Sequence, residues 1–159
     1  MKNDIIKDSY YMINLFENDN KEITPGQLQK LMYFVEAYYM NANNEKMYDC
    51  NFNAWALGPV AIPLYKHYKK FGGESIVLSN EEKSEADDIP SENKEAIEKV
   101  YNAFKDLGFL QLVNLTHMKN SPWDRTWKKN RGKIGAGEEN YINKEETKKW
   151  FKEKFITNG

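Results

Sequence analysis

Apolar positions near the start of the chain recur at helical spacing. Ile5, Ile6, Tyr10, Ile13 and Leu15 predict a first helix over residues 4–16, and the polar run at residues 18–21 ends it. The strongest start signal follows. Thr24 is placed to cap, Pro25 sits at the first helical position, and Gln27 lies three residues after the cap, where its side chain can reach back to the cap's backbone N–H. Ile23 and Leu28 form the matching hydrophobic staple. Leu28, Leu31, Met32, Val35 and Tyr39 then trace one apolar stripe, which predicts a helix running to about Met40. The asparagines among residues 41–44 compete for backbone hydrogen bonds and end it.

The pattern is less regular beyond this point. Residues 48–55 read as extended or irregular. Gly58-Pro59 reads as a break and a new helical start, with Leu64, Tyr65, Tyr68 and Phe71 on the amphipathic helix that follows and Gly72-Gly73 as its stop. Residues 75–78 are β-prone, and residues 81–88 form an acidic loop or partly helical link. Ile97, Val100, Tyr101, Phe104 and Leu107 predict a helix opened by Ser91 and stopped at Gly108. Residues 110–118 are apolar enough for a short buried helix. Ser121-Pro122-Trp123-Asp124 repeats the capping grammar and puts Trp123 and Trp127 on one face. A flexible, glycine-rich stretch spans residues 132–137. Asn143 with Glu146 opens a last helix bearing Trp150, Phe151 and Phe155. The expected class is all-α or mainly α: a compact single-domain bundle over residues 1–159, with about six or seven helices and at most a small β element.

Composition narrows this picture. A chain of 159 residues can bury roughly 70% of its unfolded surface, so no disulfide or metal is needed to hold it. Cys50 is the only cysteine, which rules out an internal disulfide and a cysteine-rich zinc site. Neither a signal peptide nor a membrane span is read in the sequence, so a reducing, cytoplasmic setting is expected. The 23 basic and 24 acidic residues nearly cancel. A general nucleic-acid binder would need a basic excess.

Little of the sequence suggests catalysis. His67 reads as an exposed helix residue and His117 as a histidine at a helix junction. Neither has a partner at metal-ligand spacing, so no metal or cofactor is expected. No Gly-x-Ser-x-Gly motif is present, and residues 132–137 lack the Gly-Lys-Ser/Thr ending of a phosphate loop. One cluster has a functional reading. Arg125, Lys128, Lys129, Arg131 and Lys133 crowd a short stretch beside Trp123 and Trp127, a combination suited to a protein interface or a nucleic-acid backbone. The acidic residues 81–88 offer it a counter-charge within the chain.

Two separated motifs carry more information. Leu28-Gln29-Lys30-Leu31-Met32-Tyr33-Phe34 is followed by Ala54-Trp55-Ala56-Leu57-Gly58-Pro59-Val60, then Leu64-Tyr65, Thr116-His117 and Pro122-Trp123. This order and spacing resembles the Panacea domain, also described as a SocA-like antitoxin or phage GepA-type domain, over about residues 20–130. The resemblance implies a mainly helical antitoxin that neutralises a cognate toxin, commonly encoded by an adjacent gene, through direct contact and without catalysis. Residues 132–159 lie beyond it as a C-terminal extension able to select the toxin.

The partner-binding candidates are Gln29, Lys30, Tyr33, Trp55, Tyr65, His117, Trp123, Arg125 and Trp127, together with surface tyrosines such as Tyr38. Gln29 is read as serving backbone groups of a neighbouring turn, Lys30 as pointing outward, and Trp55 as packing over Gly58-Pro59. The alternatives are a phage or prophage accessory protein that inhibits a host factor, a nucleic-acid regulator using Arg125 to Lys133, and an enzyme using His117. Self-association is compatible with all of these. An interface of about 1,600 Å² would be ordinary, with Trp, Tyr or Arg anchors carrying most of its energy.

Overall fold

The computed structural model describes residues 3–156. Eight α-helices and one two-stranded hairpin occur among them: α1 (Ile5–Asn18), α2 (Pro25–Asn43), β1 (Phe52–Trp55), β2 (Gly58–Ala61), α3 (Ile62–Tyr68), α4 (Asn80–Glu85), α5 (Ser91–Phe104), α6 (Phe109–Thr116), α7 (Pro122–Lys129) and α8 (Lys144–Phe151). The class is mainly helical, as expected. A π-helical turn, Lys152–Ile156, prolongs α8.

Helix α2 begins as its sequence dictates. The Thr24 hydroxyl accepts from the Gln27 N–H at 3.3 Å, and Gln27 returns a bond from the Thr24 N–H at 2.9 Å. It ends three residues later than expected, with Asn44 in the left-handed conformation that closes helices. The single apolar stripe is a correction: every residue from 28 to 37 is buried. Helix α2 is the central rod of the molecule, packed by α1, α3, α5, α6, α8 and β2. Its Phe34 is wholly enclosed, with ring centres of Phe104, Trp150, Phe151 and Phe155 at 4.7 to 6.3 Å. Trp150 and Phe151 therefore belong to the core, and the last helix packs directly on α2.

Several of the polar groups drawn into this core find specific partners. Gln29 clamps the backbone of Ala61, donating to its carbonyl at 3.1 Å and accepting from its N–H at 2.9 Å. Glu36 accepts from the Met47 and Tyr48 N–H groups at 3.1 and 3.0 Å and pairs with Lys144 at 2.5 Å. Asp8 accepts from the Tyr48 hydroxyl and the Asn93 amide through one oxygen, while its other oxygen is buried without a partner. Burial pushes the Asp8 carboxyl up to about 6, against the bonds from Tyr48 and Asn93 that favour its charge. A raised acid stabilises the fold fully below its unfolded value of 3.8, and that contribution is lost as pH rises through about 6. Asp8→Asn is therefore expected to gain about 1 kcal/mol at pH 7 and to flatten stability between pH 4 and 7. Urea midpoints of both chains across that range check this.

Residues 56–61 overturn a second expectation. Gly58-Pro59 opens no helix. Ala56-Leu57 is a two-residue turn, and the strands pair antiparallel with Trp55 opposite Gly58 and Ala54 opposite Pro59. A two-stranded ribbon has only edges, which is where proline is tolerated in a strand. Gly58, at φ +130°, takes a backbone conformation closed to other residues. The helical start comes at Ile62-Pro63 instead. Residues 75–78 form no strand, although the Ile76 N–H reaches the Ile23 carbonyl at 2.9 Å. The acidic stretch resolves into α4, capped by Ser79. Its charges go to the body of the protein: Glu82 to His67, Lys83 to Glu17, and the following Asp88 to Lys7. His67 is half-buried rather than exposed, since it also meets the Tyr10 hydroxyl at 3.1 Å. No helix among the described residues is long and apolar enough to cross a membrane.

Candidate functional site

The hairpin projects its turn beside the first turns of α2. Between them, with α3 on one side and the start of α6 on the other, lies a groove of about 430 Å³. Its walls are almost entirely apolar: Leu28, Val60, Leu64, Trp55 and Phe109 line it, and the exposed Leu57, Tyr65 and Ile134 form the rim. The rim residues are 60%, 46% and 61% exposed, which is unusual for side chains of this kind clustered in one place.

Lys30 lies at the floor, and its outward orientation is corrected. The side chain is 3% exposed. Its amine touches the Gly26 carbonyl at 3.3 Å and sits 4.5 Å from the centre of the Phe109 ring. Burial pulls the amine down to about 8. Gly58 makes room for it. A β-carbon at that position would lie 3.1 Å from the Lys30 Cε and 3.2 Å from the Thr116 Oγ1.

A stack of aromatic rings buttresses the hairpin from behind. His117 lies flat on Trp123, with centroids 3.6 Å apart and planes 8° from parallel, and Trp127 continues the stack at 5.4 Å. The Trp123 indole donates to the Trp55 carbonyl at 2.7 Å, fixing the strand end. Burial lowers the pKa of His117, the nearby Lys30 charge adds to that, and Asp124 opposes it. Helix α7 is set by Ser121, whose hydroxyl accepts from the Asp124 N–H at 3.1 Å and donates to the Thr116 carbonyl at 2.8 Å. Burial disfavours the charge of Asp124, but the Asn120 N–H and Lys128 outweigh it and hold the carboxyl below its usual range.

The sequence-predicted residues thus divide into three groups. Gln29, Lys30, Trp55 and Tyr65 meet at the groove, with the Trp55 ring edge-on to Tyr65 at 5.2 Å. The Trp55 indole N–H reaches the Gly135 carbonyl at 3.0 Å. That bond ties the glycine-rich segment across the hairpin and helps place Ile134 on the rim. His117, Trp123 and Trp127 support the hairpin. Tyr33 and Arg125 lie elsewhere. Tyr33 is buried and bonded to Thr147 at 2.9 Å, and Arg125 pairs with Glu146 on α8 at 2.9 Å. Tyr38 is partly buried against the core. Lys128 pairs with Asp124, so the basic cluster is partly neutralised within its own helix and by α8.

Leu57, Phe109 and Ile134 were not among the sequence candidates. Leu57 in a two-residue turn was the one available signal, since an exposed leucine there does nothing for the hairpin. Phe109 was hidden behind Gly108, read as a helix stop, and Ile134 inside a glycine-rich run.

The family described as "Antitoxin SocA-like, Panacea domain" matches residues 28–124. No curated protein and no solved structure matches the chain. The matched span opens on the Leu28-Gln29-Lys30 floor of the groove, contains both hairpin strands, and closes at Asp124 in the first turn of α7. Covering more than half of the sequence, it shows that the chain belongs to the SocA-like antitoxin family, the Panacea domain.

Proposed function

We propose that this protein is an antitoxin that neutralises a cognate protein toxin, encoded by an adjacent gene, by stoichiometric contact at the groove. One observation carries the reading. The two motifs that mark the family converge, from residues far apart in sequence, on a single apolar depression with an exposed leucine, tyrosine and isoleucine at its rim. Clustered exposed apolar side chains around a concave surface suit protein recognition. The surrounding chemistry suits binding more than turnover. His117 is held flat against Trp123, and its charged form is disfavoured. We place the encounter in the cytoplasm, in keeping with the free Cys50.

The test is co-expression with the product of each adjacent gene. Growth rescue of one toxic neighbour, with a complex that copurifies at a fixed ratio, is the expected result. Absence of any toxic neighbour, together with absence of a complex, sinks the reading.

A further inference from the structure

Among the side chains that line the groove there are two lysines, Lys30 and Lys69, and no carboxylate. Lys69 stands in the open, but Lys30 is 97% withdrawn from solvent, as its 3% exposure gives. No acid pairs with it among the described residues. An ammonium carries three donors, and here the contacts are one long bond to Gly26 and the face of Phe109. Lys144, the other lysine drawn inside, has a carboxylate at 2.5 Å and a backbone carbonyl at 3.0 Å. Burying a cation without a counter-ion is costly, and packing alone would be served equally well by a methionine. The covering over the amine is nevertheless light on two sides. Gly58 has no side chain to press on it, and Phe109 is only partly buried above it. The amine also lies within the first turns of the 19-residue helix α2, the helix end at which negative charge is favoured.

Resting on the neutralisation reading above, we propose that the occupant of the groove is a short apolar segment of the partner protein that carries one carboxylate, and that this carboxylate pairs with the Lys30 ammonium. The apolar side chains of the segment lie against Trp55 and Phe109, beside the Leu57–Tyr65 rim. The carboxylate completes the coordination that Lys30 lacks. The resulting ion pair is shielded from water, so it discriminates against neutral or basic segments of the same shape.

A matched pair of probes tests the chemistry on the full chain without knowledge of the toxin. These are 4-phenylbutanoate and its neutral counterpart 4-phenylbutanamide, followed through the Trp55 indole signal in NMR titrations at pH 7. The acid is expected to bind about tenfold or more tightly than the amide, the usual worth of a hydrogen bond to a charged group. Lys30→Met should erase that preference while leaving amide binding intact. This variant leaves no unpaired acid behind, so it is expected to fold, with an unchanged far-UV spectrum as the check. Equal affinities, no saturation by either probe below about 10 mM, or a preference that survives Lys30→Met overturns the proposal.

The protein occupant is tested separately. In the copurified complex, one Asp→Asn or Glu→Gln change in the partner should weaken binding to the wild-type chain by about tenfold or more and be neutral against Lys30→Met. A partner in which no acidic position couples to Lys30 overturns the protein occupant, even if the probes behave as expected. A chain that shows the acid preference but rescues no toxic neighbour sinks the neutralisation reading instead, and with it the protein occupant, leaving the groove as a site for small apolar acids.

Discussion

Glu36→Ala is expected to cost about 3–5 kcal/mol, enough to remove a large share of an ordinary domain's stability. The carboxylate is 2% exposed and is used completely. Truncation strands the Met47 and Tyr48 N–H groups and leaves the Lys144 ammonium, itself only 19% exposed at its side chain, with a single carbonyl. An uncompensated buried cation accounts for most of the loss, and the two unpaired N–H groups for the rest. Lys144→Met should cost less, because Glu36 then keeps both backbone donors. Urea unfolding of the two single variants and the double variant gives the coupling directly. A coupling near zero would mean that residues beyond the family match are an appendage. A large one makes residue 144 part of the structure that holds α2, as the burial of Trp150 and Phe151 on Phe34 also argues.

Leu57→Asp is expected to weaken the partner complex by about a hundredfold or more while leaving thermal stability nearly unchanged. A rim anchor that is truncated and recharged loses its apolar burial, and the new carboxylate stands beside the groove that holds Lys30. The fold should tolerate the change, because Leu57 is 60% exposed in a turn where aspartate is at home. Val77→Asp provides the control. Val77 is 70% exposed but lies outside the groove, so its variant should bind as the wild type does. Titration calorimetry of the copurified partner, with melting curves of each variant, separates the outcomes. Equal weakening by both substitutions would point to a general charge effect and away from the groove.

The parts of the molecule governed by local rules were legible in advance. The capping box of α2 needs only Thr24, Pro25 and Gln27 in order, and the structure closes it as written. The same holds for Ser121 and α7 and for Asn143 and α8. Errors arose where a residue's meaning depends on distant neighbours. Lys30 carries a charge, so a sequence reading points it to water. Only the enclosure of α2 by six other elements places it inside. Gly58-Pro59 matches a helix start in its proline. The positive φ of Gly58 and the clamp from Gln29, 32 residues away from Ala61, make it a strand. Arg125 reads in sequence as one member of a basic cluster, whereas Glu146, which is distant in sequence, reaches it from α8. The motif residues could be named from sequence. Their division into groove, buttress and core could not, because that depends on which of them the hairpin and α6 bring together.

The enclosure of Phe34 also bears on how the chain is made. Its aromatic neighbours lie far downstream, at Phe104, Trp150, Phe151 and Phe155. At synthesis rates of roughly 5–20 residues per second, the ribosome needs on the order of six to twenty seconds after Phe34 to add the rings of α8. Late in that interval, once Ile134 has been added, the central rod still has one bare aromatic flank, although both family motifs and every groove-lining residue have been translated. A chain arrested in that window presents a nearly complete recognition groove on an unfinished core. Nascent-chain proteolysis should therefore show protection of α2 arriving late, with the addition of residues 150–155, rather than when the hairpin emerges.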